Sequence, residues 1–208
     1  MNNFRYVIMC GGNYPKWEQL RHLSRILGEP IVHRTIRLLR ECGVKDIAIS
    51  SNHADFEKFG VPVLTHENNY GNGGYWTEAF YPTNEPTCYI FGDVVFSKAA
   101  IKTIVETNTN SIEFFASAPP FSPRYPKRWA EPFAFKVQNQ QYFRVCIDKA
   151  EELYREKKLK RLISWELWQV IKGTPLNNID YTNYTTINDY TCDVDKPEDL
   201  EKIERVML

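Results

Sequence analysis

Tyr6-Val-Ile-Met-Cys-Gly-Gly-Asn-Tyr-Pro-Lys-Trp-Glu-Gln-Leu-Arg-His-Leu-Ser-Arg-Ile-Leu-Gly-Glu-Pro30 is the stretch from which the fold is read. Arg5 to Cys10 is a short, mostly apolar run, as expected of a parallel strand buried on both faces. Gly11 and Gly12 let the chain turn sharply at its end and leave backbone N–H groups open to an anion. Lys16 and Arg21 follow closely enough to add side-chain charge at the same place. The stretch predicts a first strand, a nucleotide-phosphate loop around Cys10, Gly11, Gly12 and Asn13, and a Gly-x-Pro step into a helix.

Working outward, Ile31 to Cys42 has the apolar spacing of an amphipathic helix, with Pro30 suited to its first turn and Gly43 to its C-cap. Lys45 to Ser50 predicts a second strand, ending at Ser51-Asn52, so strand, helix and strand form a right-handed βαβ unit. His53 to Phe59 predicts a short helix and Val61 to Leu64 an edge strand. Glu67 to Gly74 is a turn-rich loop, and Trp76 to Tyr81 begins another helix. Thr87 to Phe91 is β-branched and aromatic enough for a central strand. Gly92-Asp93 then falls at its C-terminal end, where open α/β sheets bind ligands.

Further on, Ser97 to Glu106 predicts a helix capped by Ser97, and Ile112 to Ser117 a strand. Pro119 to Trp129 holds four prolines, which exclude regular structure, together with Arg124, Lys127 and Arg128. Phe133 to Val137 predicts a strand, Ala150 to Lys160 a charged helix and Ser164 to Ile171 a more apolar one. One strand is expected within Asp180 to Tyr190, and a last helix from Pro197, with Glu198 and Asp199 in its first turn. The expected architecture is α/β, a three-layer αβα sandwich on a mixed, mainly parallel sheet. Residues 1–208 are expected to form a single domain, with an acceptor-specific region over 112–190.

The 208 residues are 43% hydrophobic, enough to bury a sizeable core. Lys+Arg and Asp+Glu both total 26, and this neutrality argues against nucleic-acid backbone as a partner. Five scattered cysteines, Cys10, Cys42, Cys88, Cys146 and Cys192, have neither zinc spacing nor a disulfide framework, as for buried thiols in a reducing compartment. No N-terminal signal pattern is present, and no apolar run approaches the ~20 residues that span a bilayer. The expectation is a soluble cytoplasmic protein without membrane partners.

Taken alone, Gly11-Gly12 matches neither the dinucleotide pattern Gly-x-Gly-x-x-Gly nor the P-loop pattern, which disfavours NAD enzymes and P-loop ATPases. Asp93 could be a turn aspartate, but on the same sheet edge as a phosphate loop it suits Mg²⁺, which takes one or two carboxylates beside phosphates and water. Asp193 and Asp195 form a second carboxylate pair whose plain alternative is capping the last helix. Arg124, Lys127 and Arg128 make either an exposed loop or a clamp for an acceptor phosphate. His22, His33, His53 and His66 lack ligand spacing and are assigned surface or structural roles.

With Gly11-Gly12, Lys16, Arg21, Gly28-x-Pro30, Gly92-Asp93 and Asp193-Val-Asp-Lys-Pro-Glu-Asp-Leu200 in this order, the chain resembles the nucleotidyltransferases with a GT-A-like fold. That family includes sugar-1-phosphate nucleotidyltransferases, cytidylyltransferases and molybdenum-cofactor guanylyltransferases. The resemblance implies that Lys16 stands at the loop arginine and Arg21 at the lysine of Pro-Lys-x-Leu. It likewise puts Asp93 at the metal aspartate and Asp195 at the second one. Tyr14 replaces a small loop residue, Leu20 replaces the proline, and the two loop cations are exchanged. These are departures, since lysine and arginine are not geometrically equivalent.

By this resemblance the activity is Mg²⁺-dependent transfer of a nucleotidyl group from an NTP, with CTP mildly preferred, to a phosphorylated sugar or alcohol, releasing pyrophosphate. Lys16 and Arg21 would be catalytic, holding the β/γ-phosphates and the charge at the α-phosphate. Asp93 and Asp195 would hold Mg²⁺. Cys10, Gly11, Gly12, Asn13, Ser51, Asn52, Asn72 and Gly73 would meet the nucleotide, and Arg124, Lys127 and Arg128 the acceptor. A homodimer is left open. So are a GT-A-type glycosyltransferase, although only one Asp follows the central strand, and a non-catalytic nucleotide-binding relative.

Overall fold

The computed structural model of the chain describes residues 4–12, 17, 20–122, 124, 127 and 129–208. Eleven strands and five α-helices are formed among them. In chain order these are β1 (Arg5–Met9), β2 (Arg25–Ile26), β3 (Glu29–Pro30), α1 (Ile31–Glu41), β4 (Ile47–Ser51), β5 (Val63–Thr65), β6 (Thr87–Phe91) and β7 (Val94–Val95). Then follow α2 (Lys98–Glu106), β8 (Ile112–Ser117), β9 (Glu131–Val137), α3 (Gln140–Arg155), α4 (Ser164–Lys172), β10 (Thr185–Thr186), β11 (Cys192–Asp193) and α5 (Pro197–Met207).

Seven strands make the main sheet in the order β10-β8-β9-β6-β1-β4-β5. β1 runs parallel to β4 and β6, and β5 continues the parallel half at the edge. β9 is antiparallel to both β6 and β8, so the sheet is mixed. β4 and β6 are buried along their whole lengths, which is why they read as continuous apolar runs. Helix α1 lays Val32, Ile36 and Leu39 onto the core that includes Val7 and Ile49, while Arg37 on its outer side pairs with Glu29 and Glu41.

Two glycine-dependent features aim β1 and β6 at one place. Gly12 adopts φ 93°, a left-handed conformation that glycine takes without steric cost. Gly92 donates its N–H to the Met9 carbonyl at 3.1 Å, and a Cβ there would lie 2.4 Å from that oxygen. Only glycine therefore lets the chain leave β6 flat against the end of β1.

A second, two-stranded sheet pairs β7 with β11, and it was not anticipated from the sequence. Ile26, Ile31, Val95, Cys192, Val194 and Ile203 form a small apolar cluster of their own around it. The expected helix Ala150 to Lys160 is corrected: α3 begins ten residues earlier, where the Asn139 side chain caps it by accepting from the Tyr142 N–H. Trp76 to Tyr81 is corrected too. Only a single 3₁₀ turn, Trp76–Ala79, forms there, closed by the Glu78 carboxylate, which accepts from the Tyr75 N–H. Lys16, Asn13, Tyr14 and Arg128 lie outside the described residues. Among the described residues no helix is long and apolar enough to cross a membrane.

Lys136 on β9 is fully buried, yet its charge is matched. Its Nζ donates to the carbonyls of Ile104, Val105 and Thr107 at 3.0, 3.1 and 2.7 Å, closing the C-terminal end of α2. The ring faces of Phe4 and Tyr6 lie 4.9 and 5.9 Å away. Replacing Lys136 with Met keeps the apolar stem but orphans three buried carbonyls. The expected loss is about 2–4 kcal/mol of unfolding free energy, measured by urea denaturation.

Candidate active site

The site lies where the C-terminal ends of β1 and β6 meet the segment after β11. Register carries Asp193 opposite Val94, and Val194 donates its N–H to the Asp93 carbonyl at 3.0 Å. This pairing brings Asp193 and Asp195 to Asp93, which stands in the turn between β6 and β7. It is fixed from behind by Thr191, whose Oγ1 accepts from the Ser97 N–H at 3.0 Å.

A cavity of about 400 Å³ opens there. Its lining includes the polar and charged Arg21, His22, Asn68, Asp93, Asp193 and Asp195 beside Gly11 and Tyr70. It is also aromatic, with Trp76, Phe91, Trp129, Trp165 and Tyr181, and includes Arg161 and Ser164. Arg21 sits on a short 3₁₀ turn, Arg21–Leu23. One guanidinium nitrogen makes a short ion pair with Asp93 Oδ2. Another lies 3.6 Å from Asp195 Oδ1 and 3.3 Å from the Val194 carbonyl. Arg21 and Asp93 are largely buried, while the Asp195 side chain is 45% exposed.

Burial raises the Asp195 pKa; the Arg21 charge opposes this and the Asp93 charge adds to it. Asp193 is pushed up further, by burial first and then by Glu131. The buried His22 ring is pushed down to about 4, chiefly by desolvation, so it is neutral at pH 7. His22, expected at the surface or in a structural role, is buried, edge-on to Phe56, and lines this cavity.

The predicted site residues separate cleanly. Gly11, Arg21, Asp93 and Asp195 come together in the cavity lining. Cys10 and Gly12 are buried behind Gly11. The Ser51 hydroxyl donates to the Cys10 carbonyl at 2.9 Å and accepts from the His53 N–H at 3.1 Å. Asn52, Asn72 and Gly73 are exposed and do not line the cavity. Asn68 and Tyr70, from the turn-rich loop that holds Asn72 and Gly73, do line it. Asn68 is buried, and its Nδ2 would lie 3.0 Å from a Cβ on Gly11, so loop and strand end are in contact. The Tyr70 N–H donates to Asn68 Oδ1 at 3.0 Å, an Asx turn that orients the side chain.

Of the cations expected to meet the acceptor, Arg124 is exposed and lines neither this cavity nor the neighbouring one. Lys127 is only 7% exposed, and its Nζ has no hydrogen-bond partner among the described residues. It lies 5.0 Å over the Phe133 ring and lines a second cavity of about 260 Å³ that shares Trp129, Asp193 and Asp195 with the first. Burial lowers its pKa, and Glu131 opposes that shift. Arg161 was not singled out from sequence. Its Nε donates to the buried Glu166 at 2.5 Å, which fixes the guanidinium against the cavity.

Glu131, Cys192 and Asp193 cluster at the base of the second cavity, with the Cys192 thiol donating to Glu131 Oε1 at 3.3 Å. Burial pushes Glu131 up to about 7, with Lys127 as the largest opposing influence. A carboxyl raised from 4.5 to about 7 holds its proton more tightly folded than unfolded. Its contribution to stability is present below pH 4.5 and fades as pH climbs through 7. Glu131→Gln removes this titration. Thermal melts between pH 4.5 and 8 are expected to show Tm falling less steeply with pH in the variant than in the wild type.

The profile of the MobA-like NTP transferase domain matches residues 6–170. No curated protein matches the sequence. Among solved structures, a protein from Bacillus anthracis described as a putative glucose-1-phosphate thymidylyltransferase, in complex with sucrose, aligns at a TM-score of 0.57 and 15% identity. The alignment covers 98% of this chain and 94% of that one, a likeness of fold across the whole length. With that profile running from β1 through α4, the chain belongs to the family of MobA-like NTP transferase domains and is a nucleotidyltransferase.

Proposed function

We propose that the protein transfers a nucleotidyl group from an NTP to a phosphorylated sugar or alcohol, releasing pyrophosphate, with Mg²⁺ as its cofactor and CTP as the mildly preferred nucleotide. The observation that supports this most directly is the convergence of Asp93 and Asp195 on one cation, the Arg21 guanidinium, beside Gly11. Two hard carboxylate donors that already accommodate a cation between them fit Mg²⁺, which favours oxygen ligands. Asp93 and Asp195 would hold the ion. Bound there, it would neutralise phosphate oxygens and help orient the NTP.

The remaining work falls to the chain's own groups. The Gly11 backbone, with Cys10 and Gly12 behind it, would cradle phosphates, and Asn68 and Tyr70 would meet the ribose or base. Lys16 and Asn13 keep their assignment to the phosphates. Arg21 would stabilise charge at the α-phosphate while an acceptor phosphate oxygen attacks in line and pyrophosphate departs. Positioning and fixed charge supply most of the rate in such transfers. Lys127 and Arg161 supply cations for an acceptor, and Trp129, Trp165 and Tyr181 give it an aromatic wall on which a sugar ring can rest. The protein would act in the cytoplasm.

A glycosyltransferase acting on a nucleotide-sugar would have no use for this loop-and-cation arrangement. Pyrophosphate release from a panel of NTPs, each with Mg²⁺ and a set of sugar and alcohol phosphates, tests the reaction. CTP with at least one acceptor is expected to give turnover. Silence with every pair, alongside a nucleotide-dependent rise in Tm, would favour a binding-only role. Asp93→Asn is expected to cut turnover by at least about a hundredfold, equivalent to roughly 3 kcal/mol of charge stabilisation. Near-normal rates in that variant would remove Asp93 from the metal site.

A further inference from the structure

The Arg21 fork reaches both acids of the proposed metal site at once. Asp93 Oδ2 takes one terminal nitrogen in a short ion pair, and Asp195 Oδ1 lies 3.6 Å from the other. That second nitrogen also lies 3.3 Å from the carbonyl of Val194, the residue between the two aspartates of the closing segment. The guanidinium is 11% exposed and Asp93 17%, so solvent screens this contact far less than a surface pair. Without a cation between them, two carboxylates brought this close would repel each other. A lysine at this position would offer a single point charge, whereas the planar fork spans two carboxylates.

We infer that Arg21 is the resting counter-ion of the metal site, bridging Asp93 and Asp195 in the free protein and leaving them when a divalent cation and nucleotide phosphates arrive. The inference rests on the metal assignment proposed above. A cation entering the free protein must first displace the guanidinium, so its apparent affinity falls by the cost of those contacts. Nucleotide phosphates offer the displaced fork a new anion and lower that cost, which couples metal binding to nucleotide binding. Arg21 thus has a positioning role before it has any catalytic one. The site favours metal with nucleotide over metal alone.

Mn²⁺ titration of the nucleotide-free protein, followed by electron paramagnetic resonance of the unbound ion, reads this without turnover. Arg21→Met is expected to bind Mn²⁺ roughly tenfold or more tightly than wild type, the worth of one charge-assisted contact removed. Arg21→Lys, which keeps the charge but loses the fork, should fall between the two. Adding Asp93→Asn to Arg21→Met should abolish the gain, tying it to this site. A folded Arg21→Met protein that binds Mn²⁺ no tighter than wild type would overturn the inference while leaving the metal site standing. If Arg21→Met fails to fold, unchanged affinity in Arg21→Lys overturns it equally. Absence of Mn²⁺ binding in every variant, with and without CTP, would overturn both the inference and the metal assignment.

Discussion

The candidate site depends on one small piece of backbone pairing. β7 and β11 contribute two residues each, yet their antiparallel contact joins Asp93 to acids about a hundred positions later in the chain. A few backbone hydrogen bonds of about 1 kcal/mol apiece would not hold such a closure against chain entropy. The cluster of Ile26, Ile31, Val95, Cys192, Val194 and Ile203 adds the apolar burial that does. Helix α5 belongs to the same clamp, since Ile203 lies within it and the Glu204 carboxylate accepts from the Leu27 N–H at 2.6 Å. The C-terminal helix acts on the site through packing, by fixing the strand that carries Asp193.

That clamp forces carboxylates together. Asp93, Asp193, Asp195 and Glu131 all face one edge of the sheet or the cavity next to it. Two different solutions accommodate them. At the open end, where Asp195 is partly in solvent, Arg21 supplies a counter-charge. At the closed end, burial drives Glu131 and Asp193 toward their neutral forms, and the Cys192 thiol donates a hydrogen bond. Charge is retained where a cation can reach and suppressed where water cannot.

Much of this was legible in the chain because each residue's role followed from its immediate neighbours. Gly11, Gly92-Asp93 and the run to β6 are local signals: apolar strand, glycine, polar residue at the strand end. Ile112–Ser117 was read to the residue for the same reason. The finer site was not, because it comes from contacts between distant segments. Asn68 and Asn72 sit in one polar loop, and only tertiary packing decides that the first is buried against Gly11 while the second faces solvent. Lys127 read as part of either an exposed loop or an acceptor clamp because its loop is proline-rich and cationic, and only tertiary packing shows it buried, with its Nζ over the Phe133 ring. The start of α3 was legible as well: Asn139 is a cap, and Phe143, Cys146, Ile147 and Ala150 after it recur at helical spacing.

The departures of the opening stretch from the related pattern also acquire a physical sense. By charge alone, exchanging the loop cations leaves phosphate neutralisation intact, and only the geometry of the two groups differs. In three dimensions the arginine stands where two acids converge, a position that rewards a fork over a point charge. The part of the cavity proposed for the acceptor is built by other means, from β9, α4 and the segments before β10, with Trp165 held edge-on to Tyr181 at 4.9 Å and Arg161 fixed by Glu166. The part proposed for the nucleotide is set by strand ends and glycines, which tolerate little change. The other part is set by side chains on a helix and its flanking loops, where substitutions would alter shape and charge without disturbing the sheet. Under the proposed function, selectivity for the acceptor would therefore rest on Arg161, Trp165 and Tyr181, which line the larger cavity, more than on Arg124, which does not.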